Sequence, residues 1–362
     1  MADYPNRRRA LLDIIDGEAY LALNHEGSDP ATIRYLTGFT GEGAVLLSKE
    51  ETVLLTDSRY TEQAKGEVDG VSIVEDRGWR SKATADAIVS RKLERVVFPS
   101  SRVSFRWVEQ MRKLGGFVLI PEEDPVLSLR KNKSAEEIEY LKKAAAIGDE
   151  AFASLLPELA VGMTEAQAAL RLEVLIRETD AEGIAFDVNA STGTNTVLNH
   201  YNPAFDPKPL TDGDLLLFDF GVCFNGYRSD MTRTVVVGRP AAKAEEIYEL
   251  VLRANMAGID AVRTGVPASD VDAAAREVIT AAGYGEYFGH GLGHGIGLEV
   301  HEAPGVSPKN SDPLEAGMVV TIEPGIYIPG FGGVRIEDDV IVTSDGCEVF
   351  TGFPKDKLIQ VG

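Results

Sequence analysis

Residues 214–238, DLLLFDFGVCFNGYRSDMTRTVVVG, place Asn225-Gly226 between two apolar runs. Asn-Gly is the strongest short hairpin signal, because both central residues of the tight turn must tolerate positive φ. A two-residue loop sets Asp219 opposite Thr232 and Asp230 opposite Gly221. Asp219 and Gly221 lie two apart and share a face. The two aspartates are therefore diagonal neighbours, with Cβ atoms roughly 7–8 Å apart or somewhat less, a span that one or two metal ions could bridge. On this reading Gly221 leaves the room that a side chain would deny an ion. Two solvated strand aspartates are the alternative. Against it, Asp219 sits inside LLLFDF, a run too apolar to solvate a carboxylate cheaply.

Two further acids lie downstream in similar surroundings. GMVVTIEPGIY (317–327) ends an apolar strand at Glu323, just before Pro324, and GVRIEDDVIV (333–342) sets Glu337 in another. Arg335 lies two residues before Glu337 and hence on the same face, where an Arg–Glu salt bridge is the plain alternative. Asp219, Asp230, Glu323 and Glu337 are thus read as four acids in four apolar strands. Gathered in a core without cations they would repel one another and lose hydration. Two divalent ions would balance the four charges.

FGHGLGHGIGLEVHE (288–302) holds three of the five histidines, His290, His294 and His301. Glycines at 289, 291, 293, 295 and 297 exclude a comfortable helix, so His290 and His294 are not the helical pair of HExxH enzymes. They suit close backbone approach instead. One imidazole added to four carboxylates makes an oxygen-rich site for Mn²⁺, Co²⁺, Fe²⁺ or Zn²⁺. The other histidines are then available for proton transfer or for hydrogen bonding to a polarised carbonyl.

The remaining chain frames these segments. A length of 362 residues suggests two domains. Before residue 131, AYLALN, GAVLLSKEETVLLT, RVVFPS and FVLIPE read as strands, with TEQAKGEV and SFRWVEQMRKLG as helices, giving a small α/β domain over 1–131. Capping boxes at Ser134/Glu137 and Thr164/Gln167 open two helices, and ASDVDAAAREVITAAG is a third, stopped by Gly283. Mixed with the later strands, they make 132–362 an α+β domain. A net charge of -21 argues against nucleic acid as a partner. Two cysteines exclude a disulfide scaffold and fit a reducing compartment, with Cys223 read as a plain strand residue. Arg7–Arg9 read as a solvated helix face. There is no secretory core and no membrane-length apolar run, so the cytoplasm is the expected location.

Together FDFGVCFNGYRSDMTRT, GHGLGHGIGLEVHE, GMVVTIEPGIY and GVRIED resemble, in order and spacing, the pita-bread metallopeptidases, the superfamily of methionine aminopeptidase, aminopeptidase P and prolidase. ATIRYLTGFTGEGAVLL and LLTDSRYTEQA look like the creatinase-like N-terminal domain of bacterial Xaa-Pro peptidases. The resemblance implies a dinuclear centre (Mn²⁺, Co²⁺ or Zn²⁺) with Asp219, Asp230, His294, Glu323 and Glu337 as ligands. Asp230 and Glu337 would bridge the ions, and Glu323 would also accept a proton from the nucleophile. It implies that His301 stabilises the scissile carbonyl, and that His200, His290 and Arg335 line the pocket for the residue after the scissile bond, with His290 counted among the catalytic groups. It also implies a homodimer and a peptide substrate with proline second. His200-Tyr201 and the proline-rich Asn202–Pro209 look closer to aminopeptidase P, so the expected activity is Xaa-Pro aminopeptidase, with Xaa-Pro dipeptidase as the rival. A metal-free amidinohydrolase and a binding module on the same fold are disfavoured by the ligand-capable residues at all five positions.

Overall fold

The structure is a computed structural model that describes residues 3–76 and 80–362. The chain packs as two compact units, Met1–Arg130 and Lys131–Gly362. In the first, a six-stranded sheet runs in the order Ser72–Glu75, Thr52–Thr56, Gly43–Ser48, Ala19–Asn24, Arg95–Pro99, Val118–Glu122. Ala19–Asn24 is buried along its whole length, as expected of a central strand covered on both faces. Gly43–Ser48 and Thr52–Thr56 form an antiparallel hairpin that pairs Ala44 with Leu55 and Leu47 with Thr52. The arginine cluster departs from expectation. It lies on the helix Tyr4–Ile14, but Arg8 is only 7% exposed and donates to the Gly70 carbonyl, and Arg7 stacks on the Tyr35 ring. A guanidinium on a long apolar stem can bury its chain while its head finds a carbonyl.

The second unit carries the acidic strands. Leu215–Phe220 pairs antiparallel with Asn189–Thr192 on one side and Met231–Val237 on the other. Asp219 faces Thr232, as the turn chemistry dictates. Asn225 and Gly226 both have positive φ, 47° and 76°, the requirement of a type I′ turn. Phe152 of the capped helix Ala135–Leu155 packs on Phe218, Phe220 and Phe353 with ring centroids 4.8–5.3 Å apart. That apolar contact seats the helix on the sheet. A second sheet runs Glu302–Val306, Gly293–Gly295, Val319–Ile322, Asp338–Val342, Cys347–Val349, covered by the helices Ala242–Ala261 and Ala268–Ala281.

Two expectations change here. The hairpin does not continue as one ladder: Leu215–Phe220 and Val222–Phe224 belong to different sheets, and the break falls at Gly221. A Cβ on Gly221 would lie 2.0 Å from the Ser229 carbonyl oxygen, so this glycine clears crossing backbone and not an ion. Three of the four acids also lie at strand ends: Asp230 precedes Met231–Val237, Glu323 follows Val319–Ile322 and Glu337 precedes Asp338–Val342. At those ends the chain switches between sheets, and side chains from separate layers can converge.

Candidate metal centre

The five ligand-capable residues and the four others named from sequence come together. Asp219, Asp230, His294, Glu323, Glu337, His200, His290, His301 and Arg335 all line one cavity of about 640 Å³. Ligand atoms of Asp230, His294 and Glu337 lie within 4.8 Å of one another. Asp230 is 4% and Glu337 2% exposed.

The glycines of the histidine stretch have a steric cause. A Cβ on Gly293 would sit 1.9 Å from the Thr321 carbonyl oxygen, and one on Gly295 2.4 Å from that of Ala303. The strand carrying His294 is thus pressed between its two neighbours. His294 Nδ1 stands 3.1 Å from the Gly295 carbonyl oxygen, which assigns the proton to Nδ1. The Nε2 lone pair then faces Asp230 Oδ2 at 3.7 Å and Glu323 Oε1 at 3.5 Å. Burial, and then His301 with its ring centroid 4.3 Å away, lowers the His294 pKa to about 4. The imidazole is neutral, and at 3.5–3.7 Å its Nε2 makes no hydrogen bond to either carboxyl. Asp230 Oδ1 is buried and has no hydrogen-bond partner among the described residues. Facing lone pairs and an orphaned buried oxygen fit a cation, with the remaining imidazole N–H held by a carbonyl as metal-binding histidines usually are.

The carboxyls agree. Burial raises Asp230 and Glu323 well above the carboxylate range, and Glu337 adds repulsion to both. Glu337 itself is pushed to about 7, by burial and then by Asp219. A carboxyl with a raised folded-state pKa binds its proton more tightly folded than unfolded. Stability is therefore present below the unfolded value and lost as pH rises through the folded one. In chelated protein, thermal stability should fall as pH rises between about 4.5 and about 7, while saturating Mn²⁺ removes the slope and raises Tm. Calorimetry across that window checks this, and an identical slope with and without metal would contradict it.

Arg335 does not form the Arg–Glu bridge offered as its plain reading. It donates to Asp219 Oδ2 at 2.6 Å, to Thr232 Oγ1 at 2.8 Å and to the Tyr327 hydroxyl at 3.0 Å, reaching Glu337 only through Thr232, whose hydroxyl donates to Glu337 Oε2 at 2.6 Å. Tyr327 is 3.0 Å from His290 Nε2, and His290 Nδ1 is 2.8 Å from the Gly291 carbonyl oxygen. With Nδ1 donating to that carbonyl, Nε2 accepts from Tyr327. Burial, then Arg335, holds the His290 pKa near 4, so its ring is neutral and both nitrogens are engaged. Cys223 is a buried strand residue whose thiol contacts Glu182.

Several supports were not read from sequence. Tyr327 could have been, since it lies in the GMVVTIEPGIY stretch that carries Glu323. Asn255, fully buried on the uncapped helix Ala242–Ala261, donates to the carbonyls of Ile322 (3.0 Å) and Ile336 (3.3 Å), the residues immediately before the two glutamates. The Asp339 carboxylate accepts the Asp230 N–H at 3.0 Å. Glu165, fully buried, accepts from Thr192 N, Asn195 Nδ2, the Tyr201 hydroxyl and Lys208 N at 2.6–3.2 Å. It thereby ties down both ends of the segment that follows His200.

What the fold and this site define together is a metallopeptidase. The chain belongs to metallopeptidase family M24, whose pattern matches residues 139–344, and the creatinase/prolidase N-terminal domain pattern matches 28–132. It is 37% identical over 332 residues to the Xaa-Pro dipeptidase of Pyrococcus furiosus, covering 91% of this chain and 93% of that one. Among solved structures it superposes on the Xaa-Pro dipeptidase from Bacillus anthracis (TM-score 0.93, 39% identity, 99% of this chain and all of the other). It also superposes on the X-Pro aminopeptidase from Thermotoga maritima (TM-score 0.91, 37% identity, 97% of this chain and all of the other). The pita-bread fold read from sequence is therefore that of the protein, and the family is dinuclear and metal-dependent. No helix among the described residues is long and apolar enough to cross a membrane.

Proposed function

We propose that the protein is an Xaa-Pro dipeptidase, with 1–131 as the creatinase-like N-terminal domain and 132–362 as the catalytic domain. The expected aminopeptidase activity rested on His200-Tyr201. The relatives named as dipeptidases, one by sequence and one by structure at 39% identity, favour the alternative. The observation that carries the hydrolytic reading is the meeting of five ligand-capable side chains on one cavity, whose size falls in the range of about 300–1,000 Å³ usual for small-ligand sites.

Asp219, Asp230, His294, Glu323 and Glu337 would hold two divalent cations, of which Mn²⁺, Co²⁺ and Zn²⁺ suit the oxygen-rich donor set. Bound there, the ions would lower the pKa of a water and polarise the scissile carbonyl. Glu323 takes the proton from that water and returns it to the proline nitrogen. Its backbone N–H is fixed on the Leu292 carbonyl at 2.8 Å, so the carboxylate hangs from a rigid point. His301, exposed on the cavity wall, donates to the developing oxyanion. His290 has no free N–H and serves as a wall for the proline ring, packed edge-on against Phe288. Burial raises the Asp219 carboxyl above its ordinary pKa, and Arg335, donating to Oδ2 at 2.6 Å, opposes that rise and fixes the carboxyl on the cavity wall.

A substrate-length panel tests this. With Mn²⁺, Co²⁺ and Zn²⁺ in turn, kcat/KM for an Xaa-Pro dipeptide should exceed that for Xaa-Pro tripeptides and pentapeptides of the same sequence by at least about tenfold, or about 1.4 kcal/mol. Faster release of the first residue from the longer peptides would restore the aminopeptidase reading.

A further inference from the structure

The His301 ring makes no hydrogen bond among the described residues, although it stands on the cavity wall. Among the described residues its one ring contact is with His294, and it is exposed. Packing therefore does not fix the imidazole, and the backbone turn that bears it must.

That turn is closed by the next residue. Glu302 Oε1 accepts the Glu299 N–H at 3.0 Å, and the Gly297 N–H donates to the Glu299 carbonyl at 3.0 Å. A Cβ on Gly297 would lie 2.7 Å from both Glu302 carboxylate oxygens. The carboxylate thus fills the space the glycine leaves. Glu302 Oε2 meets Lys133 Nζ at 3.2 Å, and the two side chains are 2% and 1% exposed. A lysine and a glutamate are rarely this buried unless paired, and an ion pair out of water contributes little net stability against an apolar alternative. Lys133 is itself fixed. Its N–H donates to the Gly317 carbonyl at 2.8 Å, and Asn132 bridges Met318, which enters the strand ending at Glu323.

We propose that the Lys133–Glu302 ion pair is a positioning device for His301, holding its turn in fixed relation to the strand that delivers Glu323. The proposal rests on the role given to His301 above. Neither residue lines the cavity.

The test is a double-mutant cycle on the full-length, metal-loaded protein, with kcat, KM and bound metal measured for each variant. Lys133→Met should lower kcat by about tenfold to a hundredfold, leaving KM and metal stoichiometry at wild-type values. Lys133→Met/Glu302→Met removes both charges of the pair together, so it keeps a folded protein available if the single variant does not fold. It should show the same loss of kcat. In a His301→Ala background either change should cost no more than about twofold, because residues acting through one group are not additive. Wild-type kcat in the double variant, or an undiminished loss in the His301→Ala background, overturns the positioning role. An undiminished kcat in His301→Ala alone sinks instead the catalytic role of His301.

Discussion

Asp230→Ala should abolish hydrolysis and metal binding together, and should leave the metal-free protein more stable than the metal-free wild type at neutral pH. The first outcome follows from the position of Asp230 opposite His294 Nε2 and within reach of Glu337. Without its carboxylate, the other donors lose the group that closes the cluster. The second follows from the same burial. Burial first, and then repulsion from neighbouring carboxylates, raises all three carboxyls: Glu337 acts on Asp230 and Glu323, and Asp219 acts on Glu337. Deleting one relieves a penalty that only cations otherwise offset. Sites arranged for chemistry commonly sacrifice stability in this way. Metal analysis after dialysis, activity, and melting with and without chelator read the three outcomes. A metal-loaded, active Asp230→Ala would remove this residue from the centre.

His301→Ala should lower kcat by a factor of about 10²–10³, corresponding to about 2.7–4 kcal/mol of lost oxyanion stabilisation. Metal content and Tm should stay at wild-type values. The ring is exposed and unbonded, so its removal opens no cavity and strands no buried partner. The effect should therefore fall on turnover and leave folding alone. Single-turnover kinetics at saturating dipeptide provide the measurement. A loss confined to KM would assign His301 to substrate binding only.

How far these residues could be found in advance depended on where their partners lie. Asn225-Gly226 fixed the hairpin register because turn chemistry is local, and it paired Asp219 with Thr232 correctly. The capping boxes at Ser134 and Thr164 are likewise local and both form. The helix Ala242–Ala261 follows Ala241, with no side-chain cap to mark its start. Gly221 was legible as necessary but not for the right reason, since the obstacle is the Ser229 carbonyl. Asn255, Asp339, Glu165 and Lys133 were out of reach. Asn255, Asp339 and Glu165 act largely on backbone N–H or carbonyl groups far away in sequence, and Lys133 pairs with a carboxylate 169 positions away. Main-chain atoms carry no residue-specific signature. The aminopeptidase preference came from a two-residue pattern at the pocket mouth, too short to outweigh likeness along the whole chain.

The Asn255 carboxamide, gripping the carbonyls of both Ile322 and Ile336, yokes the roots of Glu323 and Glu337 into a single body. Exchanging a small cation for a larger one cannot widen the gap between those roots without tearing that clasp. Accommodation must come from swivelling at the carboxyl ends. Crystals loaded with zinc and with manganese would then superpose at these two isoleucines while differing in the torsions beyond them.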